Sequence, residues 1–382
     1  MLEELYKKSI EKRQEIEEHF EKLGESLDKE KARQHYNEHN FTKTERDKTF
    51  AAIDGSFNKE NYLSTFIFAL ESQTIISKAH ENQIIKHSSA ADISHISTIE
   101  STRIDSIIST YMNILELKST IDTLKRHDID YMLLDGSILG TLRNIKYYHL
   151  PENIKRIPMK LSLDIMKELN EDEIKIYVSS IEKKALLSKL IDDELDENSE
   201  NINQIRKDAQ RFYAQLEQLT CIAYLLENYS DRIVCVSKTS STTSVFKERI
   251  PDMAVIEYLF PESGYTNLEP AINILAKSDE QGTIYRKYPV YHSQLSGKKF
   301  TIFYVRFEYN SDVLKIELPI ELNDEMKALE ILEDISTSCV EGYPFILRKA
   351  HEEVLIKNKD IKRIIANYDI PEKPSRNMLK KK

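Results

Sequence analysis

Glycine and proline are both sparse in this chain, at 8 and 10 of 382 residues. Extended disorder therefore cannot be its main theme. No glycine-rich loop of the kind that cradles phosphates is present, and neither a zinc-protease signature nor a nucleophile elbow can be found. These absences argue against an ATPase. Only three cysteines occur, Cys221, Cys235 and Cys339, odd in number and without paired metal spacing. A reducing interior is the simplest setting for them. Apolar runs approaching about 18 residues are missing, and Met1 opens no signal-peptide pattern. The expectation is a cytoplasmic protein with no membrane contact. Basic excess is missing too: the formal net charge is −10. Bulk charge would not coat nucleic acid, although basic residues gathered in one channel could still meet phosphates.

What is present is 40% hydrophobic and 31% charged residues, the balance of a soluble, helix-rich globular protein. Its length fits one large domain or two moderate ones. The organising stretch is residues 49–57, an apolar run that ends in Asp54-Gly55-Ser56. A second copy of the same idea occupies residues 131–137 and ends in Asp135-Gly136-Ser137. Short apolar runs bounded by turn signals fit strands buried on both faces. An acid at the exit of such a strand stands at the rim of a sheet, where sites tend to be built. Two carboxylates on one rim repel each other unless a cation joins them, which makes a divalent metal the natural third party. The plainer reading of Asp-Gly-Ser is a simple turn.

Along the chain, residues 1–45 are charged with a loose helical row, Leu5, Ile10, Ile16, Phe20 and Leu23, expected to form an arm that packs on the body or on a partner. Residues 66–70 and 74–77 read as two further strands with Glu71-Ser72-Gln73 as the turn. Residues 80–97 read as a loop, and His80, His87 and His95 in it as surface histidines, since their spacing matches no compact metal site. Residues 99–127 carry a helical stripe. Glu116 lies beside that stripe among apolar neighbours, a costly place unless it is paired or on a metal. The stretch 153–228 is mostly helical, with a solvated acidic linker at 192–197, and its function cannot be read. Residues 231–238 form a strand ending in Lys238, followed by hydroxyls and the start of a helix containing Met253, a setting suited to a phosphate oxygen. Residues 283–291 and 299–309 read as a strand pair, with Arg306 sharing a face with Phe300, Ile302 and Tyr304. Another strand spans 313–318, and a helix spans 323–337. Gly342-Tyr343-Pro344 is a turn before a long final helix, about 346–368, that carries His351. The tail 371–382 is expected to be disordered.

Four of these stretches in order resemble the NurA nuclease family: Ala52-Ile53-Asp54-Gly55-Ser56, Leu133-Leu134-Asp135-Gly136-Ser137, Val236-Ser237-Lys238-Thr239-Ser240, and Gly342-Tyr343-Pro344 leading to Ala350-His351. The resemblance covers about residues 49–370. It implies an α/β fold, a ribonuclease-H-like mixed sheet flanked by helices, in a toroidal homodimer. A helical arm would occupy 1–45, the nuclease domain 46–370 with a helical insertion at about 153–228, and a basic tail the remainder. It also implies a manganese-dependent DNA nuclease acting with the hexameric HerA ATPase in archaeal DNA end resection, on single strands and duplex ends, chiefly 5′ to 3′. By motif, Asp54, Glu116, Asp135 and His351 would hold metal, with Glu100 the alternative to Glu116. Lys238, Arg143 and Arg306 would contact DNA phosphates.

The chemistry of the residues agrees with that implication. Phosphodiester hydrolysis needs an activated water and relief of charge on the leaving oxygen, and two metals about 3.5–4 Å apart supply both. A histidine ligand favours Mn2+ over Mg2+, though Mg2+ also suits carboxylates; alternatively the histidine moves a proton. Two other readings remain, a non-catalytic adaptor of the ATPase and a metal-dependent nucleotide phosphohydrolase.

Overall fold

The apolar runs become strands whose side chains alternate between two helical layers. The computed structural model describes residues 2–78, 83–98, 104–195, 201–273, 291–295 and 297–374. In chain order these hold α1 (Glu3–Glu25), α2 (Lys29–Arg33), β1 (Tyr36–Glu38), β2 (Thr49–Asn61), β3 (Thr65–Lys78), β4 (Gln83–Ser97), α3 (Ile104–Arg126), β5 (Tyr131–Asp135) and α4 (Ile138–Arg143). The helical stretch follows as α5 (Glu152–Asn170), α6 (Ser179–Glu182), α7 (Lys184–Glu194) and α8 (Ile202–Asn228). Then come β6 (Ile233–Ser237), α9 (Asp252–Leu259), β7 (Gly264–Thr266), β8 (Ile272–Asn273), α10 (His292–Leu295), β9 (Lys299–Arg306) and β10 (Leu314–Leu318). The chain closes with α11 (Glu325–Thr337), β11 (Cys339–Val340), β12 (Tyr343–Pro344), α12 (Phe345–Val354) and α13 (Asn358–Ile365).

One mixed sheet runs β1-β7-β9-β10-β6-β5-β2-β3-β4, with β8 paired to β9. The β2-β3-β4 ribbon is antiparallel, whereas β5 runs parallel to both β2 and β6. On one face Ala51, Ile53, Met132, Leu134, Ile233 and Cys235 pack with Leu117 and Ile121 of α3 and with Leu219 and Ile222 of α8. On the other face Phe50, Ala52, Leu133, Val234, Val236 and Ile316 pack with Leu332 of α11 and Ile346, Leu347 and Ala350 of α12. Full burial of such side chains contributes about 1.5–3 kcal/mol each, which fixes the register of the central strands.

A buried ion pair ties α3 to α8. Lys118 Nζ stands 2.7 Å from a Glu217 carboxylate oxygen, and Glu217 also accepts from the backbone N–H groups of Ser179 and Ser180 at 2.7 Å each. Burial by itself would lower the Lys118 pKa, but Glu217 holds it above its ordinary value. The stretch expected as an insertion is thus a layer of the core.

Several local expectations change. β3 runs unbroken through Glu71-Ser72-Gln73, because long cross-strand pairing with β2 and β4 outweighs the polar triplet, and the turn falls at residues 62–64 instead. The polar stretch expected as a loop is strand β4: as the edge of an antiparallel ribbon it needs little apolar character. His87 and His95 on it are exposed, while His80 lies outside the described residues. Asp192, Asp193 and Glu194 end α7 rather than form a linker, with Asp192 accepting from Arg206 at 2.8 Å. The final helix is broken into α12 and α13. Residues 283–290 and most of the tail lie outside the described residues.

The arm is not helical throughout, since β1 pairs with β7 and so belongs to the sheet. The apolar row of α1 does not pack on the body: Leu5, Ile10, Ile16 and Phe20 are exposed by 65, 77, 52 and 56%. Its end approaches α9, where a Cβ on Gly24 would come within 3.0 Å of the Tyr258 ring. Among the described residues no helix is long and apolar enough to cross a membrane.

Candidate active site

β2 outruns its parallel neighbour. It pairs with β5 only over Phe50–Ile53, while β5 ends at Asp135. Asp54 therefore stands in mid-strand, not at a strand exit, yet it is the first residue past the point where the pairing with β5 ends, level with Asp135 at the end of that strand. That local rim is where the site is built.

Alternation then decides what each neighbour of Asp54 faces. Asp54 follows Phe50 and Ala52 onto the α12 face, where its Oδ2 lies 2.6 Å from His351 Nδ1. Gly55 faces α3 with Ala51 and Ile53. A Cβ there would stand 2.5 Å from Glu116 Oε1 and 2.9 Å from its Cγ. The missing side chain thus lets Glu116 press against the strand from the opposite face. Glu116 accepts from Asn113 Nδ2 at 3.0 Å, and Asn113 Oδ1 accepts from Gln218 Nε2 on α8 at 2.7 Å.

Asp135 leaves β5 into a turn in which Gly136 has φ +115°, a conformation that favours glycine. Ser137 caps α4 by accepting from Gly140 N–H at 2.8 Å. Lys238, just past β6, stands 3.3 Å from Asp135 Oδ2, and its ammonium lies 4.8 Å from the centroid of the Tyr343 ring. Asp54, Glu116 and Asp135 line one cavity of about 250 Å3 together with Asn113, Gly136, Ser137 and Thr141.

The electrostatics of this cavity are those of crowded acids. Burial raises the Asp54 pKa, the His351 contact opposes that, and Asp135 raises it further. Glu116 is pushed up to about 8, first by burial; Asn113 counteracts, and the charges of Asp54 and Asp135 add to the rise. Among the described residues no three His, Cys, Asp or Glu side chains form a ready-made coordination shell. Instead, His351 and Lys238 partner Asp54 and Asp135. Three mutually repelling carboxylates with one imidazole nonetheless fit a hard divalent ion: an oxygen-rich donor set suits Mg2+ or Mn2+, and the nitrogen tilts it to Mn2+.

Two residues that matter here were not among the sequence candidates. Tyr343 is buried beneath Lys238, with its hydroxyl pushed up to about 12 by burial and by the Asp135 charge. Its signal lay in the Gly-Tyr-Pro stretch, which reads as a turn. Glu317, fully buried on β10, accepts from Leu139 N–H at 2.8 Å and from the Ser137 hydroxyl, and pairs with Lys315 at 3.1 Å. It anchors the turn that carries Asp135. The charged positions at 315 and 317, alternating with Leu314, Ile316 and Leu318, were the available hint.

The phosphate contacts fare differently. Arg306 is only 2% exposed, ion-paired to Glu257 at 2.8 Å and bonded to the Ser311 carbonyl. On β9 it lies three strands from β5, about 14 Å at sheet spacing. It is a buried structural cation, which corrects its expected place at the phosphate. Arg143 ends α4 and is exposed, away from the cavity lining. Glu100 lies outside the described residues.

A family model described as "NurA domain" matches residues 48–356. This chain belongs to the NurA family. The NurA match contains all five of Asp54, Glu116, Asp135, Lys238 and His351. Among curated relatives, the chain is 26% identical over 355 residues to a "Probable DNA double-strand break repair nuclease NurA" of Methanocaldococcus jannaschii, covering 88% of this chain and 82% of that one. It is 25% identical over 377 residues to the "DNA double-strand break repair nuclease NurA" of Sulfurisphaera tokodaii, covering 98 and 97%. In three dimensions it is similar to the crystal structure of the NurA nuclease from Sulfolobus solfataricus, with a TM-score of 0.69, 21% identity and 96% of each chain covered. It is similar also to a crystal structure of NurA bound to dAMP and manganese, with a TM-score of 0.66, 17% identity and coverage of 95 and 98%. These likenesses establish the fold as the NurA mixed α/β fold.

Proposed function

We propose that this NurA protein is a manganese-dependent DNA nuclease that hydrolyses phosphodiester bonds at the β2–β5 rim, acting in repair of DNA ends. The reading rests on one observation: Asp54, Glu116 and Asp135, distant in sequence, line a single cavity with His351 bonded to the first of them. The relatives named as nucleases, and the neighbour bound to dAMP and manganese, support it.

In this reading the three carboxylates and His351 hold the ion, and Mg2+ is a weaker substitute. When bound, manganese supplies an activated water and relief of charge on the leaving oxygen. The carboxylate of Asp54 holds one nitrogen of His351, which leaves the other nitrogen to carry a proton or a ligand bond. Lys238, beside Asp135 and half in solvent, meets the scissile phosphate. Nothing in these contacts reads a base, so cutting is sequence-independent.

The antiparallel β2-β3-β4 ribbon followed by parallel β5 and β6 supports a ribonuclease-H-like core within residues 46–370. Activity would be 5′ to 3′ exonucleolytic and endonucleolytic on single strands, by a cytoplasmic homodimer partnered by a HerA-type hexameric ATPase. The exposed apolar row of α1 is the candidate docking arm for that partner.

One experiment decides between this and the other classes. The protein is incubated with 5′- and 3′-labelled DNA and with nucleotides, in Mn2+, Mg2+ or EDTA, with and without the ATPase. A nuclease shortens DNA in Mn2+. A phosphohydrolase attacks only nucleotides, and an adaptor attacks neither yet binds the ATPase. Loss of ATPase pull-down on removal of residues 1–25 would support the docking arm, and normal binding would remove it.

A further inference from the structure

The helical stretch without a readable motif lines a path that leads away from the acids. The carboxylate cavity shares Thr141 with a depression of about 600 Å3 between α3, α4 and α8. That depression in turn shares Ile107 and Arg211 with a third, smaller one of about 60 Å3. The two outer depressions are lined by Lys146, Arg211, Lys184, Arg206 and Lys207, and no carboxylate appears in either lining among the described residues. In a chain of net charge −10 this segregation of cations is unusual. Among the described residues, carboxylates reach some of them from outside the linings: Asp208 lies 3.9 Å from Arg211, and Asp192 accepts from Arg206 at 2.8 Å.

The geometry of α8 makes a line of these groups. Lys207, Arg211, Gln215 and Gln218 recur at four, four and three residues, so they lie on one helical face. At 1.5 Å per residue, Lys207 is about 16 Å along the axis from Gln218. Gln218 bonds Asn113, which bonds Glu116, so the near end of the line touches the acids. Lys146, held against Gln215 by its own backbone at 2.9 and 2.8 Å, sits across the first depression. Its volume lies within the range of ligand pockets, about 300–1,000 Å3, and polar side chains with Tyr148 line it. A cationic groove whose described lining holds no carboxylate, with an aromatic beside it, suits a single strand, whose phosphates follow the charge while a base stacks.

We propose that the groove from Thr141 past Lys146 and Arg211 to Lys207 is the bed of the single DNA strand being cut, binding its phosphates beyond the scissile one. The proposal rests on the nuclease reading above. It gives the α5–α8 layer a role in holding substrate.

The test is Lys146→Glu combined with Lys207→Glu, beside the charge-keeping pair Lys146→Arg and Lys207→Arg. KM and kcat are measured in Mn2+ on a labelled oligothymidine of about 20 nucleotides and on the p-nitrophenyl ester of thymidine 5′-phosphate, a minimal phosphodiester. Binding of the oligothymidine is measured in EDTA against salt. The reversed pair should raise KM for the strand about tenfold or more with kcat nearly kept. It should also flatten the salt slope by about 1.4, two contacts at about 0.7 each. KM for the small ester should stay within about twofold, and the arginine pair should behave as wild type. Unchanged strand KM and slope would overturn the proposal. So would equal losses on strand and ester, which would place these cations at the reaction centre or in the fold. If the wild-type protein cut neither substrate the nuclease reading would fall, and the salt slope alone would then decide whether the groove binds DNA.

Discussion

The same three letters, Asp-Gly-Ser, occur twice at the rim and solve two different backbone problems. In the first copy all three residues are extended. Gly55 is there because Glu116 occupies the space a side chain would need. Ser56 accepts from the Ile356 N–H at 3.1 Å and so pins the junction of α12 and α13 beside His351. In the second copy Gly136 makes a left-handed turn with open space around it, and Ser137 caps a helix. What the copies share is only the position of the carboxylate where two parallel strands part company. Asp54 is buried and Asp135 exposed, so the pair presents one acid from within the sheet and one from its edge.

Substitutions can break that comparison. Asp54→Asn and Asp135→Asn should each lower manganese-dependent DNA cleavage by about a thousandfold or more with the fold kept, checked by circular dichroism. Full activity in either would remove that acid from the site. The glycines should then separate. Gly55→Ala should displace Glu116 and cost about 10–100-fold in activity, the size typical of disturbing a ligand's support. Gly136→Ala should cost about 1 kcal/mol or more of stability through its positive φ, and far less activity. Equal activity losses in the two would show that the glycines do the same job after all.

A pH series sharpens the contrast between the buried and exposed acids. Glu116, raised from an ordinary 4.5 to about 8, keeps in the folded chain a proton that the unfolded chain releases. Stability from this group is therefore complete below about 4.5 and falls as pH rises through 8, opposite to a salt-bridged carboxylate. Raised Asp54 acts in the same sense. The melting temperature of metal-free protein should fall from pH 5 to 8, and Mn2+ should remove most of that fall by favouring the charged forms. A metal-free profile that rises over this range would contradict the crowding of the acids. The serines should give the smallest effects, about 1 kcal/mol each in urea unfolding: Ser137→Ala loses a helix cap and Ser56→Ala strands a buried N–H. Undiminished stability on Ser137→Ala would count against its double role of capping α4 and bonding the buried Glu317.

How legible was this in the sequence? The central strands were clear, because burial on both faces leaves apolar runs that few other structures tolerate. The carboxylates were clear as candidates, because an acid at the end of such a run has few cheap explanations. β4 was not legible, since an edge strand with one solvated face needs no apolar run, and the Glu71-Ser72-Gln73 triplet looked like a turn only until its two neighbours were paired to it. Arg306 was legible as a cation on an apolar face but not as a partner of Glu257, which lies 49 residues away. Glu317 and Tyr343 were visible as letters without a role, since their partners come from other strands.

By itself the sequence determined which residues had to be inside and which acids were misplaced for a plain core, because hydrophobic periodicity and the cost of a buried charge are local properties of the chain. Only the tertiary structure decided that β2 outlasts β5. That difference in length opens the rim, sends Asp54 to one face and Gly55 to the other, and lets a helix glutamate and a helix histidine reach the same edge from opposite sides. The length of a paired strand depends on its neighbours in space, and no run of letters along one segment contains it.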